Sequence, residues 1–167
     1  MPLPFIFQYQ NLFKNNMEKL SGISETLLIT LYFRYLESKR ADAIIDDAKS
    51  LEIIERIDAD LSKFGNDKIS QLSVAIRSKV FDEQTQIFLN KNPDSIVVNL
   101  AAGLCTRFFR LNQNNVKWYD LDLEEIKPLW MQLIGETEQH KFINHSVLDT
   151  SWTVFSKRTK TKKYCLF

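Results

Sequence analysis

The chain has 167 residues, about one domain's worth, with 44% hydrophobic and 26% charged residues, which is globular rather than disordered composition. Its net charge of +1 makes no general case for nucleic acid or an anionic membrane surface. No apolar run approaches the ~20 residues that a spanning helix needs, and the opening MPLPFIFQYQ lacks the basic n-region of a signal peptide.

The first ninety or so residues read as helices. Ser24 is placed to cap SETLLITLYFRYLESKR, whose Leu27, Leu28, Leu31, Tyr32 and Tyr35 recur at helical spacing. DDAKSLEIIERI predicts a second helix, with Asp46 and Asp47 favourable at its start. ISQLSVAIRSKVFDEQTQIFLNK predicts a third, closed by Asn92-Pro93 because the residue before proline resists helical geometry.

The pattern then changes. SIVVNL, Ser95 to Leu100, spells a short strand buried on both faces. A small-residue loop follows, and the chain turns helical. VKWYDLDL predicts a second strand ending in acids, and LEEIKPLWMQLI a helix bent or offset by Pro128. HKFINHSV predicts a third strand, and KYCLF the start of a fourth. Strands alternating with helices imply right-handed parallel crossovers, hence an α/β fold. A last strand with no covering helix leads us to expect a truncated sheet with an exposed edge; a complete small domain is the alternative.

Two cysteines, Cys105 and Cys165, form neither a metal-type spacing nor a disulfide framework, so a reduced, cytoplasmic protein is the default. Two other signals are decoys. Only two residues follow Cys165 in the basic tail SKRTKTKKYCLF, and prenylation needs three. The sequon Asn144-His145-Ser146 has no meaning without secretion.

In open parallel sheets, ligands bind beyond the carboxyl ends of the strands, beside the loop after the first one. Glycine there lets backbone approach the ligand, and an acid about 20 residues later, at the end of the next strand, accepts from ribose hydroxyls. Gly103 lies in the loop of VVNLAAGLCTR, and Asp120 and Asp122 close the next strand at about that distance. The dinucleotide pattern G-x-G-x-x-G is not met, because its positions hold Ala101, Gly103 and Thr106; no P-loop pattern occurs either. A ligand without phosphates fits better. S-adenosylmethionine, with a ribose, an adenine and a carboxylate, asks for acids, a snug loop and one cation.

SETLLITLYFRYLES, SVAIRSKVFDE, VVNLAAGLCTRFFRL, KWYDLDL and FINHSVLDTSW stand in the order of the leucine carboxyl methyltransferase family, which the chain resembles from about Leu20 to Phe167. That family includes O-methyltransferases of polyketide synthesis. The resemblance implies a doubly wound, Rossmann-like methyltransferase sheet behind a helical region. Residues 1–92 would be that helical region, and residues 93–167 part of an S-adenosylmethionine-binding α/β domain. It also implies site roles. Arg77 would hold the methionine carboxylate, as a charge-assisted fork suits that group. Ala101, Ala102 and Gly103 would form the cofactor loop, Asp122 would bind ribose, and Ser146 and Val147 would touch adenine. Asp120 would be structural or a secondary contact, and Trp118, Trp130 and Trp152 core residues. His140 and His145 have no partner spacing for metal or catalysis.

The chain departs from the family where glycine is usual at Ala101 and aspartate at Cys105. An added Cβ crowds the loop and costs ~1 kcal/mol or more where φ is positive. Cys105 has no base in view that would make it a nucleophile. The family continues beyond KYCLF into an E-G-L-L-M-Y-like segment that this chain lacks. The expected function is methyl transfer from S-adenosylmethionine to a carboxylate or hydroxyl of a small molecule or a protein. The rival is a non-catalytic remnant that self-associates or pairs through its sheet edge; a nicotinamide oxidoreductase is a distant third.

Overall fold

The computed structural model describes residues 23–57, 61, 64–65, 67–112, 115–153 and 163–166. The start MPLPFIFQYQ, most of the basic tail and Phe167 lie outside them. The chain divides into two compact units, Met1–Ala75 and Ile76–Phe167.

The first unit contains α1 (Ile23–Ser38), α2 (Ala48–Arg56) and the first turns of α3 (Lys68–Lys91). Helix α1 already runs at Ile23, so Ser24 lies inside its first turn rather than at a cap. The acids before α2 do a different job from the one expected. Asp47 is the N-cap, its side chain accepting from the Ser50 amide at 3.0 Å. It also takes Arg34 Nε at 3.0 Å in a buried ion pair, so one carboxylate fixes the start of α2 and ties it to α1. Glu37 is buried as well, and accepts from the Ile44 amide and from Gln71 Nε2. Asp67 caps α3 through the amides of Ile69 and Ser70.

The second unit is the rest of α3 with β1 (Ile96–Leu100), α4 (Arg107–Leu111), β2 (Lys117–Asp122), α5 (Lys127–Leu133), β3 (His140–Asn144) and β4 (Tyr164–Leu166). Pro128 stands in the first turn of α5, behind a short 3-10 turn at Glu124–Ile126. The missing proline N–H is harmless there, so the predicted offset is a clean helix start. Strand β3 is shorter than HKFINHSV; His145, Ser146 and Val147 have left the sheet.

The sheet order is β3-β2-β1-β4, and every pair is parallel. The chain therefore moves outward from β1 through β2 to β3, then returns to the other side of β1. Alternation along the strands divides the core. Val97, Trp118 and Cys165 face Leu89 of α3 with Phe108 and Leu111 of α4. Ile96, Val98 and Leu121 face the other way, and Trp152, from the β3–β4 crossover, packs there. Crossovers on both faces make the sheet doubly wound, with its switch point between β1 and β4. This α/β, Rossmann-like architecture is the expected one. Among the described residues, no helix is long and apolar enough to cross a membrane.

Candidate functional site

The loop after β1 turns tightly because two of its residues adopt left-handed backbone: Ala101 at φ 49° and Gly103 at φ 52°. Glycine takes that conformation freely, whereas alanine is strained in it. The Ala102 amide continues the ladder onto Leu121 O at 3.1 Å, and the Cys105 amide closes a turn on Ala102 O at 3.0 Å. Helix α4 then begins at Arg107.

Asp122 organises the neighbouring loops. Its Oδ2 accepts the Gly103 amide at 2.7 Å and its Oδ1 the Leu123 amide at 2.8 Å. Its backbone carbonyl accepts the His145 amide at 3.0 Å, which fastens the loop after β3 to the end of β2. The carboxyl ends of β1, β2 and β3 thus meet at one residue. Ser146 is half-buried, and its Oγ and carbonyl accept from the amides of Leu148 and Asp149; Val147 is exposed beside it. His145 Nε2 lies 2.8 Å from Ser151 Oγ, and its Nδ1 lies 3.7 Å from Asp149 Oδ2.

A carboxylate offers about four lone-pair sites, two per oxygen. Asp122 has used one on each oxygen, so two adjacent sites remain for a ligand's donors. Asp120 has used all four. Its Oδ1 accepts from Asn99 Nδ2 and Trp118 Nε1, each at 3.0 Å. Its Oδ2 accepts from Trp130 Nε1 at 3.0 Å and His140 Nε2 at 2.9 Å. Asp120, Trp130 and His140 are each 0% exposed and Trp118 1%, so these residues are core and Asp120 is out of reach of a ligand. Cys105 is half-buried; burial pushes the Cys165 thiol up to about 11.

Arg77 sits on an exposed face of α3 and makes no hydrogen bond or ion pair with another described residue. Among the described residues, nothing joins it directly to the loop. One helical turn on, however, Phe81 packs under the Arg107 guanidinium, with 5.2 Å to the ring centroid. Asp82 Oδ1 accepts from Arg107 Nε at 3.2 Å and Arg110 Nη2 at 2.9 Å, and its Oδ2 from Arg110 Nε at 2.6 Å. Arg110 Nη1 also donates to Thr106 Oγ1 at 2.7 Å, at the last residue of the loop. The helix carrying Arg77 is thereby anchored to the helix that leaves the loop. Sequence reasoning missed this anchor, although VFDE and CTRFFR offered the opposite charges; nothing in their spacing links positions 25 to 28 residues apart.

Comparison with known proteins fits this geometry. Over 135 residues the chain is 33% identical to the tetracenomycin polyketide synthesis O-methyltransferase TcmP of Streptomyces glaucescens, covering 80% of this chain and 50% of that protein. Over 147 residues it is 26% identical to the S-adenosyl-L-methionine-dependent methyltransferase dpfgK of Gibberella zeae, covering 80% and 49% respectively. The chain thus spans about half the length of the curated relatives it matches. The sequence pattern of the leucine carboxyl methyltransferase family matches residues 27–141, which include the loop, Arg77 and Asp122, and the chain belongs to that family.

Proposed function

We propose that this chain is the S-adenosylmethionine-binding part of an O-methyltransferase that acts on a carboxylate or hydroxyl group of a small molecule or protein. The observation that carries the reading is the bond from the Gly103 amide to Asp122 Oδ2, which presents a tight loop and an oriented acid side by side at the ends of β1 and β2. Asp122 accepts from the two ribose hydroxyls through the lone pairs its backbone partners leave open. Ala101, Ala102 and Gly103 form the wall that the ligand approaches. Ser146 and Val147 line the adenine side, on the loop that His145 fastens to β2. The Arg77 guanidinium, with no partner among the described residues, takes the methionine carboxylate. The bound sulfonium supplies an electrophilic methyl group. The residues of this chain contribute orientation and exclusion of water, the effects that alignment-limited transfer needs. A carboxylate acceptor is already ionised and requires no general base.

Titration calorimetry on the purified chain tests the reading. S-adenosylmethionine is expected to bind and NAD not to, with Asp122→Ala and Arg77→Ala each weakening the former. Preference for NAD, or affinity for S-adenosylmethionine untouched by both substitutions, overturns it.

A further inference from the structure

We infer that Asp120 is a positioning residue for this site, tying β1, β2 and β3 together so that Asp122 meets the Gly103 loop; the inference rests on the reading of Asp122 given above. The four donors on Asp120 come from different elements: Asn99 from β1, Trp118 from β2, His140 from β3 and Trp130 from α5. A single carboxylate therefore cross-links every strand that contributes a loop to the proposed ribose and adenine contacts.

Asp120 and Asp122 are two residues apart on β2, so they project from the same face about 6.6 Å apart. Asn99 is paired in register with Asp120 and stands two residues before the strained Ala101. The cross-link thus lies just beneath the rung where Gly103 meets Asp122. Because a carboxylate only accepts, the proton between His140 and Asp120 sits on the imidazole Nε2, and Nδ1 has no hydrogen-bond partner among the described residues. The position needs an anion-type acceptor. An asparagine side chain in its place would turn an NH2 group toward two N–H donors and leave them unsatisfied in a dry core.

The test is a double-mutant cycle read by calorimetry with S-adenosylmethionine, with circular dichroism to verify folding. Asp120→Asn is expected to weaken binding about tenfold with Asp122 present, but less than twofold in an Asp122→Ala background, because its effect passes through Asp122. Trp130→Phe removes one donor and keeps an aromatic ring, and is expected to show the same dependence on Asp122 with a smaller loss should Asp120→Asn fail to fold. Losses of equal size in both backgrounds overturn the inference and leave the reading of Asp122 standing. No binding by the unchanged chain, or binding indifferent to Asp122→Ala, overturns that reading and this inference with it.

Discussion

The Gly103 amide donates to Asp122 Oδ2 at 2.7 Å across a separation of 19 residues. This bond orients the carboxylate before any ligand arrives. It also matches the left-handed backbone at Gly103, which turns its amide toward β2. Hydrogen bonds to a charged group contribute about 1.5–3 kcal/mol. Replacing Asp122 with alanine should therefore loosen the loop as well as remove the ligand's acceptor. Hydrogen exchange at the Gly103 amide, assigned by NMR, should quicken in Asp122→Ala relative to the β1 amides. Unchanged protection would show that the bond does not hold the loop.

Ala101 carries the strain of that turn, at φ 49°. Ala101→Gly relieves a left-handed cost of about 1 kcal/mol but restores freedom to the unfolded chain, so its melting temperature should stay level or rise slightly. Ala101→Val should lower it, as a β-branched residue is a poor fit at positive φ. The double variant Ala101→Gly with Cys105→Asp, which restores the usual family residues, should bind S-adenosylmethionine more tightly than the unchanged chain. A valine variant as stable as the original would contradict the backbone assignment.

Asp82 pairs with two arginines whose side chains are 7% and 6% exposed. Removing one partner of a buried pair leaves charge uncompensated, at a cost of about 3 kcal/mol or more. Asp82→Ala should accordingly shift the urea midpoint far down. It should also disturb the loop, because Arg110 reaches Thr106. A shift under about 1 kcal/mol would mean that water satisfies these guanidinium groups.

Burial raises the Cys165 thiol from 9.0 to about 11, with the positive Arg107 opposing the shift. The fold favours the neutral thiol, so this contribution to stability is fully present below the unfolded value and disappears as pH rises from about 9 to about 11. Urea midpoints should fall across that window, and less so in Cys165→Ala. At neutral pH a thiol reagent should modify Cys105 in the folded chain and Cys165 only after unfolding. Equal rates at both would contradict the burial of Cys165.

At the acid end, the Phe142 amide donates to Glu136 Oε1 at 3.1 Å, and this bond chiefly lowers the Glu136 pKa, with Lys141 assisting. A depressed carboxylate stabilises the fold above its unfolded value and ceases to do so as pH falls through the folded one. Acid should thus destabilise the chain, and the slope of melting temperature against pH below about 4.5 should be shallower in Glu136→Gln. Identical slopes would remove Glu136 from that effect.

The features legible before folding were local or written in residue type. The apolar β-branched run marked β1, and the acid closing β2 marked the proposed ribose position, because strand burial and acid placement act over a few residues. Pro128 marked a disturbance in LEEIKPLWMQLI, which the fold resolves as a helix start. The alternation of strands and helices carried the α/β class, and the family blocks the doubly wound sheet. Whatever depends on partners distant in the chain came only with the assembled fold. Asp120 and Asp122 are the same residue type two positions apart, yet one is sealed by four donors and the other keeps open lone pairs. Likewise Asp47 became a cap and an ion-pair partner at once, because α1 brings Arg34 to it. An acid's role is set by which donors surround it and by how much water remains, and folding alone assembles those.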